Sequence, residues 1–512
     1  MSRPPARGLA LAVLCLSAFV VNVDTTIVNV TLPTLVTELG AGTRDLQWVV
    51  DAYLLVFAAL VLAGGALSDR LGRRRVLLVG LLLFGLGNAL AGLSGTTGQL
   101  VAARAFTGLG AAAVFPTTLS LITTLFVERR ERAAAIGIWG ASTGLAVALG
   151  PIAGGALLEA YWWGSTFWVK VPVAVLAVVL VVAVVPESRR AAASRFDTPG
   201  LLLSSAALTV LVFSIIEAPV HGWTSGRTLA GLALAAVLAA AFVTAERRAA
   251  DPLLEVGLFR ERRFTAASAS ITIAFFALFG FIFLITQYFQ FLRGYSALES
   301  GLRIVPVAVC VAAGSLLGAR LVTRLGNKAV VGTGLLALGA AYAWISTVSL
   351  ATGYPEIVGQ MVLLGLGMGL TSAPATESVM GAVADARAGV GSAVNDAARE
   401  VGGTLGVAVI GSVFASLYAA RLDQAALPGP LRTAVGDSVG AALAAAGDLP
   451  DAALAGTLQA AAADGFLAGL QAGCLVAAGV ALAGAVLALA LLPARPSVPA
   501  APAGAPVAAA AR

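Results

Sequence analysis

The sequence predicts an all-α polytopic membrane protein with fourteen spanning helices, on three observations. Of its 512 residues, 59% are hydrophobic and only 11% charged, where soluble domains run to roughly a quarter charged, and the mean hydropathy is +0.94. Fourteen apolar runs approach or exceed the ~20 residues that carry a helix across a ~30 Å hydrocarbon core, and helices are the reasonable spanning element at this length. With the N-terminus inside, 23 of the 32 Lys and Arg fall on the inner side, 6 on the outer side and 3 within spans. That asymmetry puts both termini in the cytoplasm.

The first run, 10–35, follows Arg3 and Arg7 and continues through Val30 without a small-residue cleavage site, so it reads as a retained helix. Runs 47–67 and 76–96 flank a dense charge cluster: Gly65, Asp69, Arg70, Gly72, Arg73, Arg74 and Arg75. This is a tight turn at the membrane surface. Gly65 allows close helix approach, Gly72 a sharp turn, and Asp69 sits among arginines near helix ends. The cluster reads as a topogenic loop at the least and as a conformational latch in the sharper reading. Runs 99–124, 133–157, 166–186, 200–218 and 228–246 follow, then 264–290, 301–321, 329–350, 355–380, 388–418 and 465–493. Many are rich in Gly and Ala, which suits close helix packing in lipid. Gly318 to Gly326 faintly repeats the opening cluster, with Thr323 where Asp69 stands. The 419–464 connection is alanine-rich, with room for a short surface helix, and 494–512 is a Pro/Ala-rich stretch expected to be disordered.

Charges inside the spans are the candidates for chemistry. Asp24 lies mid-span, where an acid needs a cavity or a partner; reversible protonation and permanent pairing both fit. Asp51 is shallower, at the start of the second span, where a functional acid and an interfacial one both fit. Arg104 keeps its charge and needs an acid, a carbonyl or the headgroups. Gly140, Gly144, Gly150, Pro151, Gly154 and Gly155 make a kinked, glycine-faced fifth span, fit for rocking or for static packing. Asn395, Asp396, Arg399 and Glu400 share one late span, where Asp396 and Arg399 are spaced for a local ion pair; cheap burial of this turn and a gate near the cytoplasmic side both fit. Glu217 and Glu377 lie toward span ends, and His221 reads as a loop residue. The cysteines Cys15, Cys310 and Cys474 are scattered in apolar runs, which suggests neither disulfides nor a metal. With no phosphate-binding loop, no metal-ligand spacing and no nucleophile–base set, the chain does not read as an enzyme and calls for no cofactor. Its dispersed basic residues argue against nucleic acid. An ion gradient is the plausible energy source.

These motifs, in order and at the right spans, resemble the major facilitator superfamily, specifically its 14-helix drug:proton antiporters. The 65–75 cluster is similar to the superfamily's signature after the second helix, and Asn22 to Pro33 to the first-helix signature of the 14-helix group. Leu100 to Gly110 with Arg104 is similar to the fourth-helix proton-transfer motif, and the glycines and Pro151 of span five to the exporter motif. Pro374, Asn395, Arg399, Gly402, Gly403 and Gly406 also fit the group. The departures are Gly164 for an Arg, Lys170 for an Asn, Thr323 for an acid, and Glu400 for a Gln. Lys170 either snorkels to the outer surface or places positive charge beside the export route.

The resemblance implies two six-helix bundles with two inserted helices: 1–186, the inserted pair at 187–263, 264–493, and the 494–512 tail. It implies proton-coupled efflux of hydrophobic, often cationic drugs, with Arg104 in the motif linked with proton transfer; the buried acids Asp24 and Asp51, and Glu400 as an added titratable site, are expected to join it in proton coupling. The alternatives are an importer or a dedicated exporter of one metabolite or natural product on the same fold, and a membrane sensor or scaffold without transport. The expected partners are the small-molecule substrate, protons and the lipid bilayer, and a monomer is compatible with all of this. Ala- and Gly-rich usage points to a GC-rich bacterial genome, hence to a bacterial cytoplasmic membrane.

Overall fold

The computed structural model describes residues 4–189, 196–383, 388–425, 427–436 and 438–493. The 494–512 stretch lies outside the described residues, as do Arg3, Arg190, Arg195 and Arg387 of the inner basic set. Among the described residues, thirteen helices are long and apolar enough to cross a membrane.

Helix α1 (Pro4–Leu39) turns at Gly40 (φ 64°) into α2 (Thr43–Leu71), whose first turn is fixed by the Asp45 carboxylate accepting from the Gly42 N–H at 3.1 Å. Gly72, at φ 107°, reverses the chain into α3 (Arg73–Gly92). Then come α4 (Thr97–Leu125), capped by the Thr96 hydroxyl, and α5 (Arg129–Ala160). The sixth apolar run breaks into one turn, α6 (Ser165–Trp168), and α7 (Lys170–Val184). Side-chain caps from Asp197 and Ser225 open α8 (Thr198–His221) and α9 (Gly226–Arg248). Helix α10 (Arg262–Gln287) runs into a π turn at Tyr288–Leu292.

The count of thirteen, against fourteen runs, arises in α11 (Ala297–Ile345), where runs ten and eleven form one hydrogen-bonded element of 49 residues. Straight, it would reach ~74 Å at 1.5 Å per residue, more than twice the bilayer core. Gly326, at φ 80° and ψ 160°, folds it back. Both legs flank α12 (Tyr354–Gly381): a Cβ on Gly367 would lie 2.8 Å from the Gly334 oxygen, and one on Gly369 would meet Val311 and Ser315. Gly72 and Gly326 thus reverse the chain at matching places in the two copies of the sequence echo.

Helices α13 (Ala388–Gln424), α14 (Gly429–Val435), α15 (Val439–Asp448) and α16 (Ala452–Leu491) complete the chain. The 419–464 connection is therefore mostly helical. Helix α15 is wedged inward, with Gly440 between Val36 at the end of α1 and Phe291 of the π turn; a Cβ there would lie 2.7 Å from each.

Helices α1–α7 pack among themselves, as do α10–α16, and α8 rests on both α2 and α13. Its apolar contact joins Val212, Ile215 and Ile216 to Leu55 and Ala408. Two seams, α2 with α13 and α5 with α11, hold the sets together at the end where α1 finishes. There Gly155 abuts the backbone of Ala297 and Leu298, Gly301 abuts Pro151, and the Gln290 amide donates to the Val30 oxygen at 3.0 Å. Toward the other end of α5, Gly137, Gly140 and Gly144 face open space, with nothing within 4 Å of a Cβ placed on them. The two sets are joined at one end and stand apart along the first half of α5.

Gly367→Val forces a branched side chain into the backbone of α11, so it should cost about 1–3 kcal/mol. Gly140→Ala should cost nothing. Thermal unfolding of the detergent-purified protein, followed by tryptophan fluorescence, should show a lowered midpoint for the first variant only.

Candidate functional site

Asp24 sits at mid-length of α1 with no solvent exposure. Its two carboxylate oxygens are divided between two cations: Arg104 of α4 donates to Oδ2 and Lys170 of α7 to Oδ1. Arg104 also donates through Nε to the Val49 oxygen at 3.0 Å. Its guanidinium carbon lies 4.4 Å from the centre of the Tyr53 ring, a favourable face for a cation. Tyr53 in turn donates to the Val21 oxygen at 3.2 Å, tying α2 to α1. The Lys170 ammonium lies 4.7 Å from the centre of the Phe167 ring. The break between α6 and α7 sets this lysine at the head of α7, and a bond from Thr31 to Thr166 at 3.3 Å holds α6 to α1. With all three groups ionised, the triad carries one net positive charge.

Lys170 does not snorkel to the surface: it is 1% exposed. Asp24 is the partner that a lysine in this medium requires. The sequence signal was present, since two acids, Asp24 and Asp51, and two bases, Arg104 and Lys170, lie inside the first six spans, but their pairing is not a local property.

Asp51, grouped with these residues on sequence, lies elsewhere. It is on the face of α2 that carries Gln47 and Leu55, which reach α13. It is fully buried, and neither carboxylate oxygen has a hydrogen-bond partner among the described residues.

On α13, Asn395 accepts from the Thr376 hydroxyl at 2.8 Å, which ties α13 to α12. The Asn395 amide reaches Asp396 at 3.4 Å. Among the described residues no close Asp396–Arg399 ion pair is seen: the Arg399 guanidinium carbon lies 4.6 Å from the centre of the Phe275 ring on α10, and its Nε has no hydrogen-bond partner there. Glu400 keeps one buried oxygen without a hydrogen-bond partner among the described residues. Tyr53 contacts Val21, Arg104 and Phe57, all in the α1–α7 set.

The 65–75 cluster is bound within the first set. Arg73 pairs with Asp69 at 2.8 Å, reaches the Thr124 hydroxyl of α4, and takes the Ser188 oxygen with its N–H at 2.9 Å. Arg74 donates to the Val182 oxygen at 2.5 Å, and its backbone N–H bonds Glu187 at 3.1 Å. Arg75 lies 3.8 Å from the same carboxylate, and Arg70 is exposed. Gly72 lets Glu187 close in, since a Cβ would lie 2.8 Å from it; Gly65 faces Pro116. Sequence reasoning missed Glu187, although an acid just beyond a span end and near basic residues was its signal.

In α5, Gly140 and Gly144 do not make the expected close packing. Gly150 and Gly154 do, against Thr26 and Ile27, directly after Asp24, while Pro151 and Gly155 meet α11. Glu217 is buried and pairs with Arg44 at 2.5 Å, and His221 lies 3.7 Å from it at the end of α8.

Breaking a buried pair strands a charge at a cost of about 3–5 kcal/mol. Asp24→Asn should therefore lower the thermal midpoint more than Lys170→Met, which leaves Asp24 with Arg104. Adding Lys170→Met to Asp24→Asn should recover part of the loss, measured by the same unfolding series.

Residues 14–407 match the profile of the Major Facilitator Superfamily. The chain is 38% identical over 427 residues to "Multidrug resistance protein Stp" of Mycobacterium tuberculosis, covering 83% of this chain and 79% of that one. It is 35% identical to "Multidrug efflux pump LfrA" of Mycolicibacterium smegmatis, over 95% of this chain and 96% of that one. Among solved structures it is similar in fold to a bacterial homolog of the human lysosomal transporter Spinster, in an inward-facing and occupied conformation. The TM-score is 0.69 at 17% identity, over 96% of this chain and 98% of the other.

Proposed function

The chain belongs to the Major Facilitator Superfamily, and from that premise we propose that it exports hydrophobic, cationic small molecules in exchange for protons, as a 14-helix drug:proton antiporter of the bacterial cytoplasmic membrane. The observation that carries this reading is the Asp24 carboxylate, buried between Arg104 and Lys170. The similarity to multidrug efflux proteins supports export as the direction.

The fourteen spans divide into bundles at 1–186 and 264–493, with α8 and α9 inserted between them. Both termini are cytoplasmic, so the end where the α5 glycines stand free opens inward. A proton taken up by Asp24 removes the counter-charge of Arg104 and Lys170, whose mutual repulsion loosens α4 and α7 from α1. Because α5 leans on α1 beside Asp24, that shift is passed to the α5–α11 seam. Gly140 and Gly144 are then the surface on which the inner half closes. The 65–75 cluster, held by Glu187, is the latch that biases this movement. Asp51 is a second coupling acid, and Glu400 is a further titratable site on α13. Asp24 is already saturated with cations, so a cationic substrate is met by Asp396 and Glu400 on α13.

Two protons taken in for each monovalent cation moved out carry one net charge inward, which gains about 2.3 kcal/mol per 100 mV, enough for roughly a 40-fold substrate gradient. The test is the chain in liposomes with an interior pH dye, an imposed proton gradient and a panel of lipophilic cations. Substrate-dependent proton flux is expected, abolished by Asp24→Asn and reduced by Glu400→Gln. Undiminished flux in Asp24→Asn overturns the role given to Asp24, and no flux from folded protein overturns the exchange.

A further inference from the structure

Gln47 and Asp51 lie one turn apart on α2, both with no solvent exposure. The Gln47 amide nitrogen is committed to α13, donating to the Ala408 oxygen and the Ser412 hydroxyl, each at 3.3 Å. That fixes its orientation and leaves Oε1 without a partner, and both oxygens of Asp51 are also without one among the described residues. Three buried oxygen acceptors thus fall within one helical turn with no donor. One turn further on, Leu55 closes the place with hydrocarbon from α8 and α13.

The nearby cations are engaged elsewhere. Arg104 is held by Asp24 and Val49, Arg44 by Glu217 in the last turn of α8, and Arg399, two turns or more along α13, faces Phe275. Among acids, Glu217 is paired with Arg44 and His221, and Glu400 lies two turns along α13 from Ala408, on the other side of Thr404. A buried carboxylate without a donor or counter-charge is costly. A single proton bridges at most two of the three acceptors. Carboxylate, amide and hydroxyl oxygens with neither nitrogen nor sulfur suit a hard cation. One formal negative charge matches a monovalent ion rather than Mg²⁺ or Ca²⁺, which gather more carboxylates or keep water.

We propose that Asp51, Gln47 and Ser412 form a sodium-ion site at the seam of α2 and α13, apart from the Asp24 triad. The inference deepens the reading of Asp51 as a coupling acid by naming an ion that competes with the proton there. Because the ion bridges helices of the two sets, its binding favours the state in which this seam is closed.

The detergent-purified full chain is titrated with radiolabelled sodium in choline chloride at fixed pH, and its thermal midpoint is compared in sodium and choline chloride. Saturable binding of one ion per chain and a sodium-dependent rise in midpoint are expected. Asp51→Asn keeps shape and removes charge. It should weaken binding by about tenfold or more, as loss of an ionised partner implies, without lowering the midpoint in choline. Ser412→Ala should weaken binding less. The proposal is overturned if folded parent protein binds no sodium, if Asp51→Asn binds it equally, or if the midpoint follows pH and ignores sodium. Binding is read without substrate or gradient, so its failure leaves proton exchange standing, and failed flux leaves the sodium site standing.

Discussion

A carboxylate in the middle of a membrane helix constrains everything around it, because lipid offers neither solvent nor counter-ion. Asp24 meets this constraint with Arg104 and Lys170, and so binds α1, α4 and α7 into one block. Tyr53 covers the arginine and brings α2 into the same block. Gly150 and Gly154 let α5 lie against α1 just beyond Asp24, and Gly155 on the next face carries the contact to α11. The seam between the two sets of helices is therefore set, a few residues away, by the geometry of one ion cluster. The desolvation such a cluster requires makes it poor as a source of stability and sensitive to loss of any member.

The spans were legible because hydropathy is additive along a chain and the membrane enforces a length. All fourteen apolar runs fall in helices. Gly72 and Gly326 were legible for a related reason: only glycine takes the left-handed turn without strain, so the echo in sequence became an echo in backbone. What hydropathy does not encode is where a helix ends when its neighbours supply the missing contacts. Alanine-rich chain in 419–464 reads as loop because no span-length apolar run marks it, yet α15 packs between α1 and the π turn.

The site was half legible. Asp24, Arg104 and Glu400 are conspicuous as charges in oil, and Asp24 and Arg104 do meet, whereas Glu400 lies apart on α13. Lys170 was readable as a departure but not as a partner, because 146 residues separate it from Asp24 and Coulomb attraction leaves no periodic trace. Arg399 shows the converse. Its spacing from Asp396 is right for a pair, but the guanidinium lies over the Phe275 ring of another helix. Gly140 and Gly144 are similar: spacing identifies a face fit for close packing, whereas occupancy of that face depends on which end of the seam is shut.

The separation of Asp24 from its partners also sets a schedule for biogenesis. At about 5–20 residues per second, Arg104, 80 residues on, leaves the ribosome roughly 4–16 s after Asp24, and Lys170, 146 residues on, roughly 7–30 s after it. Until Arg104 emerges the first helix holds an acid whose insertion alone costs about 2.5–3.5 kcal/mol, with neither counter-ion yet made, and until Lys170 follows it has only one of the two. Helix α1 must wait at the insertion machinery, at the interface or beside a chaperone until α4 and then α7 arrive. Slowing translation between these segments would lengthen the exposure of α1 and route more of the chain to quality control, with no change in the finished protein.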